Sequence, residues 1–206
     1  SMNLFMLSEW WSVINPNSTE HILESDLGLH SLTALIPSLL TKTDGVLPYS
    51  RNILNLDLKT ATLILNTVRA GLILFTLYFL RWPPFKQAES RFSEIRELSY
   101  IFLLIPLIFP HQQKYAFFLA YPALFYISYF IIINFQPGTR ITNNRTYYAV
   151  IILLILSFAL MTLTTDGLIG RNLNQITQYF KTITYGAIIL IIILTLCSRD
   201  QRRIST

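Results

Sequence analysis

Beyond residue 60 the chain is a succession of long apolar runs. Ala61–Leu80, Tyr115–Asn134, Tyr147–Thr165 and Ile183–Cys197 carry one formal charge among them, Arg69. About 20 apolar residues let a helix cross roughly 30 Å of hydrocarbon, so each run predicts a spanning helix. The last extends back toward Tyr179, and the second is interrupted by Pro122. A fifth run, Leu98–Pro110, is equally apolar but only 13 residues long. Its length fits either a short, mismatched span or a re-entrant segment that ends below the surface.

The first sixty residues follow a different pattern. Asn3 to Ile14 is apolar, with Trp10 and Trp11 adjacent, and too short to span; it predicts an interfacial helix with its indoles at headgroup depth. Asn15-Pro16-Asn17-Ser18-Thr19 breaks it. From Leu27 to Leu40, apolar residues at Leu29, Leu32, Leu35, Ile36, Leu39 and Leu40 recur at helical spacing along one face, with Pro37 limiting the regularity. Val46 to Leu58 reads as a loop leading into the first span. The expected organisation is therefore an outer segment of short amphipathic helices over 1–60, a transmembrane bundle over 61–197 and a basic tail over 198–206. Sixty residues this broken are too few for an independent core.

Composition strengthens the membrane reading. Charged residues make up 13% and the AVILMFWYC set 52% of the chain, with a mean hydropathy of +0.47. A soluble protein carries about twice that share of charge, so part of this surface must face something other than water. Seven glycines and one cysteine leave no glycine-rich phosphate loop, disulfide framework or zinc spacing. Residues 1–15 lack the basic start and small-residue site of a cleavable signal peptide. Ser1-Met2 reads as a scar ahead of an internal or native start, so the chain is expected to be a piece of something longer.

The net charge of +5 is better explained by topology than by nucleic acid, since no Lys/Arg cluster accompanies a nucleic-acid-binding pattern. Five spans with the N-terminus outside put nine basic residues in three short cytoplasmic stretches, 81–97, 135–146 and 198–206. The much longer outer stretches then hold six. That bias obeys the positive-inside rule, and four spans would break it for half the chain. The same topology places all three histidines and seven of the eleven acids outside.

Three features carry candidate chemistry. Arg69, roughly 12 Å into its span, is costly there unless it snorkels or finds partners. It either receives a phosphate or carboxylate from the outer side, or pairs with Asn66 and a carbonyl of a neighbouring helix. The hydrophilic tip His111-Gln112-Gln113-Lys114 follows the short apolar run. If that run rises only about 20 Å, the tip lines a recessed pocket able to grip a sugar or diphosphate; otherwise it is a tight turn with Lys114 and Tyr115 as interface anchors. Glu20, His21, Glu24, Asp26 and His30 crowd one stretch, but without a recognised metal-ligand pattern a solvated polar linker is the better reading. No metal or cofactor is expected. Asn17-Ser18-Thr19 and Asn144-Arg145-Thr146 are formal glycosylation sequons, the second on the cytoplasmic side.

These residues also carry a resemblance. Glu24–Leu40, with His30-Ser31-Leu32-Thr33-Ala34-Leu35, resembles the NQSL-x-A-L segment of glycosyltransferase family 87. Those are polytopic GT-C enzymes that use polyprenyl-phosphate sugars, mannosyltransferases being the best known. Phe109-Pro110-His111 through Tyr115, followed by Pro122-Ala123-Leu124, is similar to that family's SPH…Y…L-P-A-L segment. Trp11-x-x-x-Asn15-Pro16 falls where the family tends to have an aromatic residue. The likeness covers roughly residues 10–135, with Leu29-His30 in place of Asn-Gln and Phe109 in place of Ser. It implies the C-terminal part of such an enzyme, in a bacterial inner membrane, with His30, Ser31, His111 and Gln112 touching donor or acceptor. Arg69 and Lys114 join that set from the reading of the residues. The catalytic carboxylate of GT-C enzymes follows their first span and has no counterpart here, so no catalytic residue is assigned. The expected partners are the bilayer, a lipid-linked sugar and a missing N-terminal half or partner membrane subunit. The competing reading is a non-catalytic helical subunit of a membrane complex. A small transporter fits least, with no internal repeat and no acid within a span.

Overall fold

The computed structural model describes residues 2–14, 28–42, 47–80, 91–110, 112–135, 144–162 and 164–201. Among these, the regular elements are helical: α1 (Met2–Ile14), α2 (Leu32–Leu40), α3 (Leu58–Phe79), α4 (Arg91–Ile108), a 3₁₀ segment (Lys114–Ala120) running into α5 (Tyr121–Phe135), α6 (Asn144–Thr162), α7 (Asp166–Tyr179) and α8 (Thr182–Gln201). The all-α expectation holds. Three helical stretches are long and apolar enough to cross a membrane: Leu58–Phe79, Lys114–Ile133 and Arg145–Thr162. The pair Asp166–Tyr179 and Thr182–Cys197, bent by 67°, passes the same test jointly. Length and composition thus mark three spans, or four if the bent pair is one. The short fifth run forms the second half of α4, whose first two turns carry Arg91, Glu94, Arg96 and Glu97.

Local chemistry sets the helix boundaries. Asp57 caps α3, its carboxylate accepting from the Thr60 N–H at 3.2 Å and from the Thr60 hydroxyl at 2.5 Å. Pro122 explains the 3₁₀ lead into α5. It has no N–H to offer the Phe118 carbonyl four residues back, so the Tyr121 N–H bonds that carbonyl at the tighter spacing. Between α7 and α8 the chain turns through Lys181, which is buried with φ +56°.

The helices pack around α4, which touches α2, the 3₁₀ segment, α5 and α8. Its Tyr100, Leu103 and Leu107 are buried against Leu65 of α3 and Leu190 and Leu194 of α8. At the N-terminal half of α4, Tyr100 stacks on Phe79 (4.3 Å between ring centroids) and its hydroxyl lies 3.0 Å from the Thr76 hydroxyl. The buried Arg96 guanidinium sits 4.9 Å over the same Phe79 ring. The closest helix pairing is α6 with α8. There the Ser157 hydroxyl donates to the Gly186 carbonyl at 2.8 Å, and a Cβ on Gly186 would lie 2.5 Å from Met161 Cγ. Small residues at such crossings let backbones approach.

The outer segment departs from expectation in one respect. Leu4, Phe5, Met6, Leu7, Trp10 and Trp11 of α1 are exposed. By contrast, α2 does not rest on a surface by one apolar face: Leu32, Thr33, Ala34, Leu35, Pro37 and Ser38 are all buried, and the helix is wedged against α3 and α4. Its polar residues tolerate this because each is bonded, Ser38 to the Leu35 carbonyl within the helix and Thr33 to the Arg69 guanidinium of α3.

Candidate functional site

The residues ahead of α2 are laced to the end of α4. Leu29 and Gln113 form an antiparallel bridge, and the His30 N–H donates to the Gln112 carbonyl at 2.8 Å. The Ser31 hydroxyl, at the N-cap of α2, donates to the Pro110 carbonyl at 2.7 Å rather than to its own helix. From a third side the Thr184 hydroxyl in the first turn of α8 donates to the His30 carbonyl. Two segments about 80 residues apart in sequence are thereby joined through their backbones.

Arg69 reaches the same layer. One guanidinium nitrogen donates to the Thr33 hydroxyl at 2.6 Å, the other to the Asn66 side-chain oxygen at 3.2 Å. The Asn66 partner is the one that i to i+3 spacing anticipates. The second partner is a hydroxyl of α2, where a carbonyl was expected. Arg69 lies eleven residues after Leu58, roughly 16 Å along α3 at helical pitch. Through Thr33, the start of α2 and with it Pro110, Gln112 and Gln113 lie near that depth, below the start of α3.

The predicted residues therefore take different positions. His30 is fully buried, its ring edge-on to Phe117 at 6.5 Å between centroids, so the solvated-linker reading does not describe it. Ser31 is also buried, with its hydroxyl engaged by Pro110. Gln112 is half-buried and Lys114 exposed. His111, together with Glu20, His21, Glu24 and Asp26, lies outside the described residues. No group of three or more metal-ligating side chains occurs among the described residues.

Two cations of this region went unnoticed in the sequence. Arg51 is buried, its guanidinium 4.7 Å over the Tyr179 ring and 3.4 Å from the Tyr179 carbonyl, while the Tyr179 hydroxyl donates to the Tyr49 carbonyl at 2.7 Å. Burial holds the Arg51 pKa below its ordinary value, with Tyr179 opposing the shift. Lys181, 1% exposed, lies one turn before Thr184. Arg51 falls in the stretch that reads as a loop and Lys181 at the start of the last apolar run, and tertiary packing buries both.

Lys114 also lines a groove of about 420 Å³ between the 3₁₀ segment with α5 and the C-terminal end of α6, floored by Ile183. None of its lining residues belongs to α2, α3 or α4. Comparison of the chain with family models, curated proteins and solved structures finds no match.

Proposed function

We propose that the chain is a multi-pass integral membrane protein that handles a polyprenyl-phosphate sugar, as the C-terminal part of a family 87 type glycosyltransferase does. In this reading α3, α4, α5, α6 and α8 cross a bacterial inner membrane, with the N-terminus outside and the C-terminus cytoplasmic. α4 is able to cross despite its charged start because neighbouring helices surround it and Arg96 is buried over Phe79. What supports the functional reading is one observation: the two segments that carry the resemblance, at 29–35 and 110–124, are bonded directly to each other, with Arg69 in the same layer.

The division of labour follows from the chemistry. Arg69, a permanent cation held by Asn66 and Thr33, draws the donor phosphate below headgroup depth into its own layer. Gln112 and His111 offer hydrogen bonds to the sugar above. His30 and Ser31 fix the tip through backbone and hydroxyl bonds, a positioning role. A carboxylate supplied from outside this chain takes the acceptor proton as general base. The test is binding of a polyprenyl-phosphate mannose and its glucose counterpart to the detergent-solubilised chain. Arg69→Ala weakens the bound sugar by about 10- to 100-fold, the worth of a hydrogen bond to a charged group. Equal affinity removes Arg69 from the site.

A second reading, a non-catalytic helical subunit, draws on how little of α3 and α6 is covered. Only 17% and 11% of their apolar windows are buried, leaving Leu74, Tyr78, Ile152 and Ile155 exposed. Under that reading neither sugar donor binds, and the chain co-purifies with a fixed stoichiometry of partner helices.

A further inference from the structure

The groove beside Lys114 has features that the donor reading does not use. Its residues run from Lys114 to Leu124, roughly 18 Å of 3₁₀ and α-helix, and face Phe158, Met161 and Thr162 of α6. α5 and α6 barely touch, so the cleft opens sideways where the two helices splay. The lining is apolar except at one end. The Thr162 hydroxyl is turned back to the Phe158 carbonyl, and the exposed Lys114 ammonium and the Tyr115 ring stand at the mouth. An apolar slot with a cation at one end matches an amphiphile with an anionic head.

The groove is also separate from the layer around Arg69. Phe117 touches both, its ring perpendicular to that of His30 and its side chain lining the groove. A lipid-linked donor seated here would place its phosphate at Lys114, among residues none of which belongs to the helix that carries Arg69. We infer that the groove holds one acyl chain of an anionic bilayer phospholipid whose phosphate pairs with Lys114. The lipid props α5 against α6 on the outer side. This inference rests on the membrane part of the proposed function and not on the donor.

The test uses the full chain in nanodiscs of dioleoylphosphatidylglycerol and dioleoylphosphatidylcholine, followed by mild detergent extraction and native mass spectrometry. The wild type is expected to retain one phosphatidylglycerol about fivefold over phosphatidylcholine, the discrimination one Lys gives near an anionic headgroup. Lys114→Gln, at an exposed position, brings the two lipids level, and Lys59→Gln leaves the preference intact. Leu124→Trp, filling the slot, loses both lipids. Equal retention by the wild type, or an unchanged preference in Lys114→Gln, overturns the inference. Displacement of phosphatidylglycerol by equimolar undecaprenyl phosphate overturns it too, and assigns the groove to the donor. A chain recovered outside the lipid fraction overturns the membrane reading as well, which separates the two failures.

Discussion

Arg69 allows a test that separates a functional cation from a structural one. The residue sits near the middle of a 22-residue helix, where insertion of an arginine costs about 2.5–3.5 kcal/mol in a bilayer. Asn66 and Thr33 offset part of that. Thr33→Val keeps the shape of a buried side chain and removes one acceptor. Hydrogen bonds between spanning helices average about 0.6 kcal/mol, whereas those to a charged donor are worth about 1.5–3 kcal/mol. The guanidinium charge and the 2.6 Å distance favour the larger figure. At about 2–4 °C per kcal/mol for a chain of this size, the thermal midpoint falls by about 3–12 °C. Arg69→Leu removes the expensive group itself, so its midpoint stays within about 1 kcal/mol of the wild type or rises, as when buried ion pairs are replaced by apolar residues. The same variant loses binding of the polyprenyl-phosphate sugar. Tryptophan fluorescence melts in one detergent, with the double variant closing the cycle, measure all terms. A midpoint for Arg69→Leu below that of Thr33→Val, with sugar binding intact, would refute the reasoning and make Arg69 a structural brace.

Other positions carry consequences of the same kind. Gly186→Ala drives a Cβ against Met161 and the Ser157 carbonyl, costing about 1–3 kcal/mol in the melt; adding Met161→Ala recovers most of it. Tyr179→Phe loses the bond to the Tyr49 carbonyl, about 1 kcal/mol, while Arg51→Gln loses the contact over the ring at a similar cost. Because Tyr179→Phe keeps the ring and carbonyl that Arg51 contacts, the double variant costs about the sum of the separate losses. The Asp57 carboxyl is held below the ordinary carboxylate range, chiefly by the Thr60 hydroxyl and then the Thr60 N–H. A folded pKa below the unfolded one means the cap is fully effective above the unfolded value and is lost as pH falls through the folded one. Thr60→Ala moves that loss to higher pH, read from carboxyl carbon shifts in labelled protein; an unchanged titration argues against the cap.

The long apolar helices α3, α5 and α6 were readable because each is apolar over its own length, a local property. The weight of Pro122 was readable too, although the chain meets it with a 3₁₀ lead into α5 and not a break. Burial of α2 was not readable. Ser31, Thr33 and Ser38 mark a surface helix in sequence, and what permits them inside is bonding to Pro110, Arg69 and Leu35. For Ser31 and Thr33 that partner lies far along the chain and leaves no periodic trace. The same holds for Arg51 in its apparent loop and Lys181 at the start of the last apolar run, single cations that packing encloses. Asn66 as a partner of Arg69 was readable from helical spacing, and Thr33 was not.

The account depends most on the meeting of the Leu29–Ser31 strap with the Pro110–Gln113 tip. Cysteines at Leu29 and Gln113, in a Cys197→Ser background, measure that meeting directly. Bridged residues stand about 4.5–5.5 Å apart between Cα atoms, within the range a disulfide accepts. Mild oxidation of the chain in native membranes is expected to close the bond nearly completely, while a Leu29→Cys/Tyr49→Cys pair stays open. No more cross-linking in the first pair than in the second would contradict the joining of the two segments, and with it the site built on them.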